Sequence, residues 1–488
     1  MESLLKANHY IKEHSKEVVS QYRNHFHLMA PIGWINDPNG FIYFKGEYHL
    51  FYQYYPYDSI WGPMHWGHAK SKDLIHWEHL PVALAPGEVY DKDGCFSGSA
   101  IEKDGRLYLM YTGHNVIDGK VKQVQCLAVS DDGITFEKYE KNPIIFEKHI
   151  DQIAPIDDFR DPKVFQKGNH FYSVVASRTT DNRGQILLFE SDDLLDWQFK
   201  SVLLEGDKKQ GIMWECPDLF HLDGKDVLIM SPIEMPKQGY SYWNTSSTIA
   251  FIGSVDWEKG KLAVENFHEI DAGLDFYAPQ TCLNPEKKRI MVAWMQMWHR
   301  TMPSKELNHH WSGTMTLPRE LQVKGNRLLQ KPIKQLTNAT DIHFHEKNIT
   351  VDNSPKEFKG LISDQTYAQL IFEILTPQTI RIDFARGKEM LEMVYSADEE
   401  LLTVSRAKTG WHIDGNEGNS HHTRSMHAPL IDGKLTLEIV RDTSSAEIFV
   451  NSASCMSFTF YEKSKGHNLT ISSTGKATLE SMMVGEIE

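Results

Sequence analysis

Cysteine is scarce in this chain: five among 488 residues, at Cys95, Cys126, Cys216, Cys282 and Cys455. The number is odd, the positions are scattered and no CxxC pair occurs. That excludes a disulfide framework and a zinc ribbon, and it suits a reducing compartment. Positive charge is also short, with 51 Lys and Arg against 66 Asp and Glu, a net charge of −15. Nucleic-acid binding needs clustered Lys and Arg at phosphates, so no such partner is expected. Long apolar runs are missing too. Nothing approaches the roughly 18 residues of a membrane helix. The opening residues, with Glu2, Lys6, Lys12, Glu13, Lys16, Glu17 and Arg23, contain no signal-peptide core. The expectation is a cytoplasmic protein without a membrane partner.

Several catalytic motifs are absent as well. There is no HExxH and no G-x-S-x-G. Gly113 to Gly119-Lys120 has one intervening residue too many for a phosphate loop, and Val121 stands where Ser or Thr is required. His65-Trp66-Gly67-His68 reads as packing rather than ligation, and His309-His310 and His421-His422 as solvated loop residues. No metal or cofactor is expected.

What is present is aromatic and repetitive. Aromatics make up 11% of the chain, with 12 Trp, and the length allows about three ordinary domains or one repeat domain plus another. Leu4, Leu5, Tyr10, Ile11, Val18 and Val19 fall at helical spacing, predicting one amphipathic helix over 2–22. After it come short apolar runs separated by Gly, Asp, Asn and Pro, such as Gly40–Tyr52 and Gly105–Tyr111, which read as hairpin strands.

These runs share a period. Asp37-Pro38, Gly98-Ser99, Asp161-Pro162, Cys216-Pro217 and Ala278-Pro279 open five units, their second positions 61, 63, 55 and 62 residues apart. A second signature keeps step: Ser71-Lys72-Asp73 with Trp77, Ser130-Asp131-Asp132 with Phe136, and Ser191-Asp192-Asp193 with Trp197. A repeat near sixty residues with about four strands per unit predicts a β-propeller. The rhythm breaks around 330–352. Beyond it lie alternating runs without a repeat, including Thr379–Phe384 and Lys434–Val440, which predict a β-sandwich. The expected organisation is a helical segment over 1–25, a propeller over 26–335 and a sandwich over 336–488, an all-β fold with one short helix.

In a propeller the innermost strands point one end at the central channel, so residues at the unit openings converge. Asp37, Asp161 and Glu215 sit at three of those openings. An isolated Asp-Pro is a turn former; three acids in phase are not explained that way. Carboxylates crowded together raise at least one pKa, and an acid beside an ionised carboxylate is the equipment of glycoside hydrolysis. Trp34, Trp61, Trp66 and Phe96 offer flat faces to a sugar ring, and Asn36, Gln53, Ser97 and Arg160 offer donors to its hydroxyls.

Four blocks in order, Trp34-Ile35-Asn36-Asp37-Pro38-Asn39-Gly40, Phe96-Ser97-Gly98-Ser99, Phe159-Arg160-Asp161-Pro162 and Trp214-Glu215-Cys216-Pro217, resemble the signature blocks of glycoside hydrolase family 32. Phe276–Gln280, Leu317–Leu321 and Ser445–Asn451 also look like family blocks, so the resemblance runs from about residue 25 to the end. The family comprises invertases, sucrose-6-phosphate hydrolases and fructan hydrolases. The resemblance implies a five-bladed propeller joined to a sandwich and retention of configuration. It makes Asp37 the nucleophile, Glu215 the general acid/base and Asp161 a stabiliser of the fructosyl hydroxyls. It also places Asn36, Gln53, Trp61, Ser97 and Arg160 around the fructose, and adds Trp34, Phe96, Tyr277 and Trp298 to the substrate-binding set, with Trp294 competing for the place of Trp298.

The stretch Met297–Trp311 looks more like that of bacterial fructosidases than like many sucrose-6-phosphate hydrolases, leaving the phosphate preference open. Arg178, Arg183, Arg300 and Lys305 are read as surface charges before phosphate contacts. The expected activity is hydrolytic release of the terminal fructosyl unit of sucrose, sucrose 6-phosphate or a short fructo-oligosaccharide; a fructosyltransferase and a non-catalytic carbohydrate-binding propeller are the alternatives. The first would yield trisaccharide at high sucrose, and the second would lack one of the three acids. The partner is a small sugar, and the chain is a monomer or a homodimer.

Overall fold

The computed structural model describes residues 2–376, 378–417, 421–464, 466 and 468–488. An α-helix spans Glu2–His14 and ends in a 3-10 turn, Ser15–Glu17. It is shorter than the periodicity predicted, because Val18 and Val19 belong to an extended connection whose Val19 N–H donates to the His309 carbonyl at 3.1 Å. His309 is also not a solvated loop residue. It is buried, with its ring stacked on Tyr22 at 5.6 Å.

Residues 33–332 form five sheets. Their innermost strands are Gly33–Phe44, Gly94–Lys103, Phe159–Lys167, Met213–Leu222 and Tyr277–Leu283, and we number the sheets as blades I to V. Each innermost strand packs on the next, and that of blade V packs back on blade I, closing a ring. This is the propeller that the sixty-residue repeat predicted. The ring is sealed by a short crossover. After its second strand, blade V sends the chain to pair Trp311 and Ser312 in parallel with Gly33 and Trp34, before the third strand Arg319–Lys324 resumes the blade.

The second repeated signature is a turn. Ser71 Oγ accepts the Leu74 N–H at 2.8 Å, while Asp73 accepts those of Ile75 and His76 at 2.9 and 2.8 Å. Ser130 with Asp132, and Ser191 with Asp193, make the same bonds in blades II and III. A short side-chain acceptor satisfies backbone donors that the strand ladder cannot reach.

Beyond 340 two six-stranded sheets pack face to face. Their strands alternate: Ile380, Ile382 and Phe384 point inward beside Leu435, Leu437 and Ile439, in one continuous apolar core. The sandwich is bolted to the propeller by buried charge. Arg319 of blade V donates to Glu447 at 2.9 Å and to Asp271 at 2.9 Å. His27 bridges Asp442 and Glu447, both at 2.9 Å.

Burial works against the His27 imidazolium, but its bonds to Asp442 and Glu447 outweigh that and lift its pKa to about 9. A group raised in the folded state stabilises fully below its unfolded pKa near 6.5, and that contribution disappears as pH climbs through 9. Its size is about 3 kcal/mol. Denaturant unfolding followed from pH 6 to 9.5 should therefore show stability falling across this window in the wild type, and a flatter profile in His27→Gln. Parallel profiles would show that His27 carries no proton in the native protein.

Candidate active site

All five innermost strands slip by one residue against their partner strand near the unit opening, and that of blade I slips a second time between Asn39 and Ile42. The ladder slips between Ile35 and Pro38, Phe96 and Gly98, Arg160 and Lys163, Glu215 and Asp218, and Tyr277 and Gln280. A bulge frees its residues from the ladder and turns them out of the pleat. In blades III, IV and V the bulge also places a non-glycine residue at positive φ: Asp161 (63°), Cys216 (50°) and Ala278 (51°). Such conformations cost energy and persist only where the surroundings enforce them. The unit openings read from the sequence are these bulges, and the ring brings them together at one mouth.

Asp37 is buried, and three donors meet its carboxylate: Ser97 Oγ at 2.7 Å, Cys216 Sγ at 3.3 Å and Asn36 Nδ2 at 3.2 Å. The Asn36 amide is oriented by Trp34, whose indole N–H can only donate and does so to Asn36 Oδ1 at 2.8 Å. Burial pushes the Asp37 carboxyl up, and the charge of Glu215 adds to this; the Ser97, Asn36 and Cys216 donors oppose it. Asp161 accepts the Cys216 backbone N–H at 3.0 Å and lies 3.5 Å from the Cys216 thiol. Burial raises Asp161 to about 7, with the charges of Glu215 and Asp37 acting in the same direction and Arg160 against it. Crowding contributes to this rise, but burial is its larger cause, and burial is absent from the repulsion read in the sequence. Cys216 itself stays a thiol, since burial and the surrounding carboxylates push its pKa far up.

Glu215 is held differently. Arg160 grips its Oε1 through Nε at 3.0 Å and Nη2 at 2.8 Å, and the Tyr277 hydroxyl donates to Oε2. Arg160 is itself braced by Gln123 at 3.2 Å and Asp158 at 2.7 Å. The three acids are thus one cluster, Cys216 bridging two of them and Arg160 fixing the third.

The aromatic wall is uneven. Trp34 stacks with Trp298 at 6.0 Å, and Trp294 meets Trp298 at 4.9 Å. Trp294 is wholly buried and Trp298 half-buried, so Trp298 has the exposed face. Phe96 is half-buried between Trp61, edge-on at 6.0 Å, and His114, stacked at 4.1 Å. Trp61 is 46% exposed and stands at the rim. Gln53 is buried and donates to the Cys95 carbonyl at 3.0 Å, with no hydrogen bond to the three acids among the described residues. Trp66 is wholly buried core, its indole N–H donating to the Phe96 carbonyl.

Arg300 is the correction among the proposed surface charges. It is buried between Asp275 and Glu417. Arg178, Arg183 and Lys305 each pair with carboxylates nearer the surface. Sequence reasoning missed Gln123 and Asp158. Asp158 could have been suspected from its place two residues before Arg160, but Gln123 lies on another strand of a different blade and left no signal.

No metal-binding cluster of His, Cys, Asp and Glu occurs among the described residues, and no described helix is long and apolar enough to cross a membrane.

A propeller whose ring closes over clustered carboxylates, an arginine-gripped glutamate and a tryptophan wall defines a glycoside hydrolase. The family comparison specifies which. The profile of the glycosyl hydrolases family 32 N-terminal domain matches residues 27–332 and that of the C-terminal domain residues 332–486, so the chain belongs to glycoside hydrolase family 32. It is 39% identical to a sucrose-6-phosphate hydrolase of Escherichia coli, over 93% of each chain. Among solved structures, a GH32 β-fructofuranosidase mutant of Bombyx mori in complex with sucrose matches at TM-score 0.85 and 34% identity, covering 99% of this chain and 98% of that one. The sucrose-6-phosphate hydrolase of Lactobacillus gasseri matches at TM-score 0.87 and 26% identity, covering 98% and 96%.

Proposed function

We propose that the protein is a retaining β-fructofuranosidase that releases the terminal fructosyl unit of sucrose or sucrose 6-phosphate, with 26–335 as the catalytic unit and 336–488 as its sandwich partner. The observation that carries this reading is the cluster of Asp37, Asp161 and Glu215, supported by the named activities of the relatives.

Asp37 attacks the anomeric carbon of the fructosyl unit. Its carboxylate is aimed by Ser97 and Asn36, which hold both oxygens from the side of the strand. Glu215 gives its proton to the glycosidic oxygen, and the glucosyl unit leaves. Water then enters, gives its proton to Glu215 and displaces Asp37 from the fructosyl-enzyme, restoring both carboxyls. Asp161 takes hydrogen bonds from fructosyl hydroxyls that strengthen as positive charge develops on the ring. The Trp34 and Trp298 faces pack the apolar side of the sugar, while Trp61 and Phe96 line its approach. Gln53 supplies a polar group beside them. The unpaired cysteines support a cytoplasmic setting.

The test is hydrolysis in the presence of methanol. Methyl β-fructofuranoside as the trapped product is expected from a double displacement; the α-anomer, or no fructose release from either sugar, would overturn the reading. The ratio of kcat/KM for sucrose and sucrose 6-phosphate, measured alongside, sets the phosphate preference.

A further inference from the structure

The crossover between blade V and blade I has an apex at Trp298, His299 and Arg300. His299 adopts φ +61°, a left-handed conformation uncommon outside glycine. The reversal sends the neighbouring side chains apart. Trp298 faces Trp34 and the sugar pocket. Arg300 turns into the protein, where its side chain is fully buried. Its Nη1 donates to Asp275 at 3.1 Å and to the Leu274 carbonyl, and its Nη2 to Glu417 of the sandwich at 2.7 Å and to Asn244 at 3.2 Å. The next residue continues the attachment. Thr301 N–H donates to the Asp414 carbonyl, and Asp414 N–H to Thr301 Oγ1, both at 2.8 Å.

The two legs of the crossover are anchored without Arg300. Met295 bonds Thr314, Thr316 bonds Ala293 and Gly33 bonds His310, all through the backbone. The apex is held by the guanidinium together with the Thr301–Asp414 pair, and the planar fork is the part that joins acceptors of the propeller and of the sandwich in one group.

We infer that Arg300 is a positioning residue for the sugar pocket, through which the β-sandwich sets the place of the Trp298 face. The inference rests on the fructosyl pocket proposed above. Nothing in the reaction requires the sandwich to touch sugar. It acts by fixing a side chain that does.

The test is a double-mutant cycle on the full chain with Arg300→Met, Trp298→Ala and the pair, reading kcat and KM for sucrose. Arg300→Met should raise KM about tenfold and change kcat less than about threefold, because a misplaced wall weakens binding without removing a reacting group. The paired variant should have the KM of Trp298→Ala alone, whereas independent effects would multiply. A KM for Arg300→Met within about twofold of wild type, or multiplying effects in the pair, would overturn the inference. Glu417→Gln, which removes one charge on the sandwich side, covers a failure of Arg300→Met to fold. It should raise KM by about threefold, and an unchanged KM counts against the inference. Fructose affinity from tryptophan fluorescence should follow the same pattern. It is measured without turnover, so a failure of the proposed reaction is a separate result.

Discussion

Asp37→Ala should lower kcat for sucrose by about five orders of magnitude, comparable to losing an essential nucleophile elsewhere. No neighbour can take its place. Asp161 is committed to the Cys216 backbone N–H and Glu215 to Arg160 and Tyr277. The fold should survive, because removing a buried carboxyl also removes the desolvation that pushes its pKa up. Ser97 Oγ and Asn36 Nδ2 lose an acceptor, a local loss of about 1–3 kcal/mol at most. Circular dichroism should match the wild type, and sucrose should still bind. Turnover within about a hundredfold of wild type in a folded variant would remove Asp37 from the mechanism.

Glu215→Ala should cost about three to four orders of magnitude in kcat for sucrose, within the range of a lost general acid/base. Its diagnostic is not the size of the loss but its dependence on the reactants. A fructoside with an acidic leaving group needs no proton, so its first step should be largely spared. Azide should then accelerate turnover at least about tenfold, since an anionic nucleophile needs no base in the second step and the vacated space lies beside Arg160. The expected product is a β-fructosyl azide. Equal losses on both kinds of substrate, with no azide effect, would show that Glu215 moves no proton. Asp37→Ala cannot gain the β-azide by this route, because it forms no fructosyl-enzyme. The two variants thereby separate the roles of two acids that the geometry draws into one cluster.

The repeat was the most legible part of the protein, because it has a local cause. Asp-Pro, Cys-Pro and Ala-Pro mark bulges, and Ser-x-Asp marks a turn whose side chains cap its own backbone. Each is decided within a few residues. The same locality made Asp37, Ser97, Arg160, Asp161 and Glu215 readable as one constellation once the period was known. What escaped was decided across the chain. Arg300 looks like an ordinary surface cation until Glu417 is placed beside it. Gln123 gains meaning from Arg160, and His309 from Tyr22. Trp294 and Trp298 cannot be ranked by spacing, because their exposure depends on where the crossover turns. The helix ends short of its periodicity for a related reason: Val18 and Val19 keep the helical pattern, but the tertiary bond to His309 claims the backbone there.

The five aligned bulges make the mouth of the ring a set of interchangeable seats. Counted along the ladder, Asn36, Asp161, Cys216 and Ala278 take the first bulge position of blades I, III, IV and V, and Ser97 is the single extra residue of blade II; Asp37 follows its blade's seat by one residue and Glu215 precedes its own by one. One seat holds an acid, and three hold donors that meet the Asp37 carboxylate. The fifth holds a buried methyl group. A new side chain at 278 would join the same circle of neighbours without any change to the scaffold, and its positive φ narrows the tolerated choices to Gly, Asn and Asp. Rotational equivalence thus gives this architecture a spare position, in the same buried cluster as Tyr277 and Cys216, from which a donor or acceptor could be added without a new element.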